Sequence, residues 1–248
     1  MPTSLTTGRS QENSPCQSCN GSGWTPVTLP GGYKGVERCS CRTTEHRLLS
    51  LGFGKEHNRW TLGSFGKKLE TSGQKIVEQR QFGGVLLAGP AGSGKTSFMA
   101  ALCHALIDRE ADIPIRLCIA RALLRRIWST YRDESEEKEE DVVRDFSEVT
   151  VLAIDDLGKE GKVSDASLGA FHEILSKRGG NGLLTIITTN LRLEPDPDEK
   201  NIPNITELYD ASLASRLGSW TRIVMAGEDR RKRRGKEREL MYITPVSI

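Results

Sequence analysis

The chain has 248 residues, 36% apolar and 27% charged, a make-up that suits a soluble globular protein with one full domain and room for a small second one. Thirty-five basic residues against 33 acidic ones leave a net charge of +2, so any hold on nucleic acid must come from local patches. No run approaches the roughly 18 apolar residues of a membrane span, and the opening MPTSLTTGRSQENS lacks a signal peptide's apolar stretch, so the expected location is cytoplasmic with no membrane contact.

Residues 1–14 are polar, with little to bury, and read as a flexible tail. Residues 15–46 hold four of the six cysteines, in a stretch too short to fold on an apolar core alone. Cys16 and Cys19 form a C-x2-C pair, and Cys39 and Cys41 a tighter C-x-C pair nineteen residues on. In a reducing compartment such pairs read as metal ligands, and four thiolates around zinc (Zn2+) would supply the missing stability. A redox pair and unliganded thiols are the other readings, and His46 could replace one sulfur. Cys103 and Cys118 sit in apolar patterns and read as core.

Residues 47–80 are moderately helical and broken by glycines, a connector leading into the next domain. From residue 81 to 229 apolar runs of strand length, GVLLAG, IPIRLCI, VTVLAID and LLTIITTN, alternate with helical patterns, which predicts a mostly parallel sheet covered on both faces. ARALLRRIWSTYR is an amphipathic helix, and the acidic DESEEKEED after it reads as its solvated end or a loop. Residues 230–248 contain the basic run Arg230 to Arg238, a solvated patch suited to nonspecific nucleic-acid contact.

The strongest motif is GPAGSGKT: Gly89, Pro90, Ala91, Gly92, Ser93, Gly94, Lys95 and Thr96, with Ser97 next, lying between a strand pattern and a helix pattern. This is the Walker A arrangement, whose glycines turn backbone N–H groups toward phosphate oxygens at a helix N-terminus. Lys95 is placed to reach the β- and γ-phosphates of ATP, and Thr96 to hold magnesium (Mg2+). VLAIDDLG puts Asp155 and Asp156 at the end of a buried strand, where ligands sit in parallel sheets. Asp155 suits a magnesium contact through water, and Asp156 suits polarising the attacking water. IITTN ends in Asn190, suited to orienting that water or touching the γ-phosphate, while Thr188 and Thr189 read as satisfying backbone. Arg216 lies in SRLGSW; taken alone it is an ordinary surface arginine.

This motif order resembles the AAA+ ATPases. GVLLAGPAGSGKTSFMAAL, VLAIDDLG, LLTIITTNL and ASLASRL look like the DnaC/DnaI/IstB branch over roughly residues 50 to 230. The resemblance implies a three-layer α/β/α P-loop core; with 32 residues after Arg216, it implies a truncated C-terminal lid. It makes Asn190 the sensor 1 residue and Arg216 an arginine finger acting in trans within a homo-oligomer. Arg230 falls near the sensor 2 position. The helix with Arg121, Arg125, Arg126, Trp128, Tyr131 and Arg132 matches one that faces single-stranded DNA in the family, although an ordinary amphipathic helix fits the same residues. A zinc module ahead of such a core resembles the DnaI type of loader, which implies a replicative DNA helicase as partner. A transposition helper on duplex DNA and a weakly hydrolysing adaptor are the other functions the resemblance allows.

Overall fold

The computed structural model describes residues 17–20, 23–39, 44–79, 83–132, 135–161, 163–193, 195, 203–226 and 243–245. The expected tail, Cys16, Cys41, Arg230, the basic run and the lid region after residue 226 fall outside these, apart from three residues of a last strand. The chain divides into two units, Met1–Arg47 and Leu48–Ile248.

The first unit is built on an antiparallel hairpin, β1 (Trp24–Thr28) and β2 (Lys34–Arg38), with Pro26 opposite Val36. Gly31 and Gly32, at φ of +93° and +82°, make the reversal that a Cβ would resist. A two-stranded hairpin is marginal alone. Helix α1 (Thr44–Ser50) follows.

In the second unit, α2 (Gly66–Glu78) buries Leu69, Gly73, Ile76 and Val77. Gly73 lets the helix close on Leu62, since a Cβ would stand 2.5 Å from Leu62 Cδ2 and push that side chain aside. Trp60, Phe65 and Phe98 form a ladder with ring centroids 5.4 and 5.1 Å apart, which packs the stretch read as a connector into the main core.

The remaining elements are β3 (Gly84–Ala88), α3 (Lys95–Arg109), β4 (Ile115–Ile119), α4 (Ala120–Ser129), α5 (Glu139–Ser147), β5 (Val151–Leu157), α6 (Asp165–Gly180), β6 (Leu184–Thr189), α7 (Ile205–Leu208), α8 (Ala211–Gly218), β7 (Thr221–Met225) and β8 (Ile243–Pro245). The sheet runs β4-β5-β6-β3-β7-β8, its first five strands parallel and β8 antiparallel. Val85 and Leu87 enter one core layer with α2 and α3, while Leu86 enters the other with α4, α5, α6 and α8. Apolar residues on both faces of a strand are what a sheet covered by two helical layers requires. This is the expected α/β/α P-loop core.

The acidic run is not only a loop: Glu139, Glu140 and Asp141 form the first turn of α5, where carboxylates offset the positive end of the helix dipole. Among the described residues no helix is long and apolar enough to cross a membrane.

Candidate nucleotide site

The chain leaving β3 crosses through α3 to the edge strand β4, and β5 and β6 fill the positions between. That switch opens a crevice at the carboxyl ends of the strands, beside β3. The loop Gly89–Gly94 lies there. Gly89, Gly92 and Gly94 have φ of +148°, +75° and +99°, and a Cβ on Gly89 would approach Met225 O to 2.2 Å. No side chain caps the first turn of α3, which leaves that positive helix end to an outside anion.

Lys95 is 5% exposed, and its Nζ donates to Gly89 O at 2.9 Å and Pro90 O at 2.8 Å. Ser93, 1% exposed, has a buried Oγ with no partner. A buried lysine held by loop carbonyls, beside an unanswered hydroxyl and an uncapped helix, fits a phosphate chain.

Thr96 joins this loop to the Asp-Asp pair. Its hydroxyl lies 3.0 and 3.1 Å from the two Asp155 carboxylate oxygens, and the Thr188 hydroxyl donates to Asp155 Oδ1 at 2.5 Å. At Asp155 and Asp156 the β5–β6 register slips, so two residues face one, Thr188. Asp156 takes φ +61°, a left-handed conformation rare outside glycine, and its N–H donates to Thr188 Oγ1 at 2.8 Å. A bulge of this kind re-aims side chains at a strand end. Its carboxylate meets Lys159 Nζ at 2.9 Å. Thr96 and Asp155 together form the oxygen donor set that suits magnesium.

The family model for IstB-like ATP-binding proteins matches residues 69–234. This chain belongs to that family. The IstB-like chain is similar in structure to DnaI, with a TM-score of 0.54 and 21% identity over 74% of this chain and 99% of that one. It is similar to the DnaC helicase loader, with a TM-score of 0.54 and 19% identity over 70% of this chain and all of that one. A third likeness is a Streptococcus pyogenes serotype M3 protein proposed as a primosome component, with a TM-score of 0.53 and 17% identity over 78% of this chain and all of that one. At these identities the likeness shows the fold. No curated protein matches the chain by sequence.

Asn190 follows β6 directly, and Gly89 N–H donates to Thr189 O at 3.3 Å, which ties the end of β6 to the start of the glycine loop. Its Oδ1 is buried with no partner, as a group reserved for water or phosphate would be. Arg216 lies elsewhere. It sits in α8 and lines a cavity of about 270 Å³ with Gly83, Gly84, Gly180, Leu183 and Trp220, at the amino ends of β3 and β6. The strand between Gly84 and Gly89 spans about 16 Å, so Arg216 does not serve the Lys95 site of its own chain.

Helix α4 buries Leu123, Leu124 and Ile127 and exposes Arg121, Arg125 and Trp128. Arg126 is not part of that open face. Its Nη2 lies 2.5 Å from Glu137 Oε1 and 2.7 Å from Asp145 Oδ2. The Glu137 hydrogen bond raises the Arg126 pKa, and the same pairings lower those of Glu137 and Asp145. Tyr131 donates to Glu139, and Arg132 stacks over Trp128 at 4.4 Å.

Thr188 is the residue that sequence reasoning undervalued. It accepts from the Asp156 backbone and donates to the Asp155 side chain, fixing both acids at once. The signal was there, in a buried Thr-Thr closing one strand beside a strand closing in Asp-Asp. Cys103 and Cys118 pack in the interior, where burial pushes both thiols up to about 12.

In the first unit Cys19 and Cys39 are both buried, and Gly23 links them: its N–H donates to Cys19 Sγ at 3.2 Å and its carbonyl accepts from Cys39 N–H at 3.0 Å. Among the described residues no group of three or more candidate ligands assembles a metal site.

Proposed function

We propose that the chain is a magnesium-dependent AAA+ ATPase that delivers a ring-shaped replicative helicase to single-stranded DNA. The observation that carries the reading is the separation of Arg216 from the Lys95, Thr96 and Asp155 cluster across the sheet, which leaves each site one cation short unless a second copy supplies it. The structural likeness to DnaI and to the DnaC helicase loader supports the choice of task.

Lys95 and the loop N–H groups would hold the phosphates, and Thr96 with Asp155 the magnesium, whose role when bound is to neutralise charge on the phosphate oxygens. Asp156, once released by Lys159, accepts the proton of the attacking water that Asn190 orients. Arg216 of the adjoining subunit balances the charge developing on the far side. Completion of that contact closes the subunit interface, and its loss on hydrolysis opens it and frees the helicase.

Arg121, Arg125 and Trp128 on α4, with Arg132 just after it, form the DNA-facing surface, combining phosphate-tracking cations with a stacking ring. Cys16, Cys19, Cys39 and Cys41 hold zinc in the first unit. The Gly23 N–H that donates to Cys19 Sγ orients the sulfur that a metal would bind.

The deciding experiment is ATP turnover by wild type and Arg216→Ala, with single-stranded DNA, duplex DNA and a replicative ring helicase added separately. Turnover that requires Arg216 and rises with helicase or single strand supports loading. Stimulation by duplex alone would instead assign the chain to a transposition helper role.

A further inference from the structure

After β5 the chain turns through Gly158, Lys159 and Glu160. Glu160 Oε2 accepts from Gly158 N–H at 2.8 Å and from the Tyr209 hydroxyl at 2.6 Å, while Oε1 is buried with no partner. Gly158 has φ +104°, and a Cβ there would stand 2.4 Å from Leu191 Cδ1, so the turn has no slack on that side. Burial and the Glu160 carboxylate together raise the Tyr209 pKa, which keeps the phenol a donor.

Tyr209 follows α7 directly, and the next residue, Asp210, caps α8. Asp210 Oδ1 accepts from Leu213 N–H at 2.6 Å and Oδ2 is hydrogen-bonded to His172 Nε2 at 2.8 Å. The helix fastened by that cap carries Arg216. A contiguous set of contacts therefore runs from the loop of Asp156, through one carboxylate and one phenol, to the helix of Arg216. In this conformation Lys159 Nζ pairs with Asp156, so freeing Asp156 breaks a contact made one residue before Glu160, in the same turn. A carboxylate with one oxygen unanswered is well suited to change partners when that happens.

We infer that the Glu160–Tyr209 hydrogen bond couples the state of a subunit's own nucleotide site to the position of the Arg216 it presents to its neighbour. Glu160 and Tyr209 are positioning residues, acting through Lys159 and Asp156 at one end and through α8 at the other. The inference rests on the ATPase reading above, in which Asp156 belongs to the nucleotide site and Arg216 acts between subunits.

Hydrogen exchange by mass spectrometry on the full chain tests it, with and without magnesium and the non-hydrolysable analogue AMP-PNP, in wild type, Tyr209→Phe, Glu160→Gln and Glu160→Ala. In wild type the analogue should slow exchange in 89–96, in 156–160 and, by about threefold or more, in 211–218. Tyr209→Phe and Glu160→Ala should keep the first two responses and lose the third. Glu160→Gln retains an acceptor and should keep part of it. An α8 response in Tyr209→Phe equal to that in wild type overturns the coupling, as does a wild-type α8 that ignores the analogue while 89–96 responds. No response at 89–96 in wild type overturns the nucleotide-site reading, and the coupling with it. If Tyr209→Phe loses its far-ultraviolet signature, the two Glu160 variants decide on the same criteria.

Discussion

Lys95 and Arg178 are both buried cations answered by backbone carbonyls, and their surroundings differ. Lys95 bonds carbonyls of the glycine loop, next to Ser93 Oγ and near the end of β6, where Asn190 Oδ1 also has no partner. Arg178, with no exposure at all, uses Nε, Nη1 and Nη2 to reach Thr185 Oγ1 at 2.8 Å, Val149 O at 2.6 Å, Phe146 O at 3.0 Å and Leu184 O at 2.6 Å. Those acceptors sit at the end of α5 and the amino ends of β5 and β6. One cation is held by partners that a phosphate can replace, amid polar atoms left over for a ligand. The other is bonded on every nitrogen to the termini of rigid elements, and burial brings its pKa down to about 10 without removing its charge at neutral pH. The carboxyl end of the sheet is built to exchange partners and the amino end to keep them.

Five variants can break or sharpen this contrast. Lys95→Ala should lower ATP turnover on the order of 100- to 1000-fold while leaving thermal stability near wild type, because the lost cation works on the ligand and not on the fold. Steady-state kinetics beside a melting curve checks both halves. Arg178→Met should do the reverse, costing about 3–5 kcal/mol by urea denaturation, since several carbonyls lose a common donor.

Thr188→Val keeps the shape but removes the hydroxyl that serves both acids. Stability should fall by about 1–2 kcal/mol, and turnover should require several-fold more magnesium; a magnesium titration separates this variant from a merely unstable one.

The smallest effects divide α4. Arg121→Ala with Arg125→Ala should weaken single-stranded DNA binding several-fold and flatten its salt dependence, leaving stability unchanged. Arg126→Ala should spare binding and cost about 1 kcal/mol. The pairings of Arg126 depress the Glu137 and Asp145 pKa values, so the stabilisation is present at neutral pH and is lost as pH falls through those depressed values. Acid titration of wild type against Arg126→Ala should show the two converge at low pH.

Much of the fold was readable in the sequence because buried parallel strands leave apolar runs, and three of the four runs lead into a glycine loop or a polar cluster at the carboxyl edge of the sheet. GVLLAG, VTVLAID and LLTIITTN located β3, β5 and β6 together with Lys95, Asp155 and Asn190. What was hidden depends on partners distant in sequence. Arg178 looks like a helix-end surface residue, and only the fold brings the carbonyls of Phe146, Val149 and Leu184 around it. Arg126 is indistinguishable by pattern from Arg125, yet one is paired twice with acids and the other is exposed. Tyr209 and Glu160, 49 residues apart, carry no motif that announces their bond.

The proposal that Arg216 completes a neighbour's site is tested most directly by mixing two inactive chains, Lys95→Ala and Arg216→Ala. Wherever an Arg216→Ala subunit, with its intact loop, adjoins a Lys95→Ala subunit with its intact arginine, one complete site forms. Random assembly of an equal mixture should restore about a quarter of wild-type turnover from two preparations that are each nearly inactive. A mixture no more active than its components would contradict a site completed by Arg216 of a neighbouring copy.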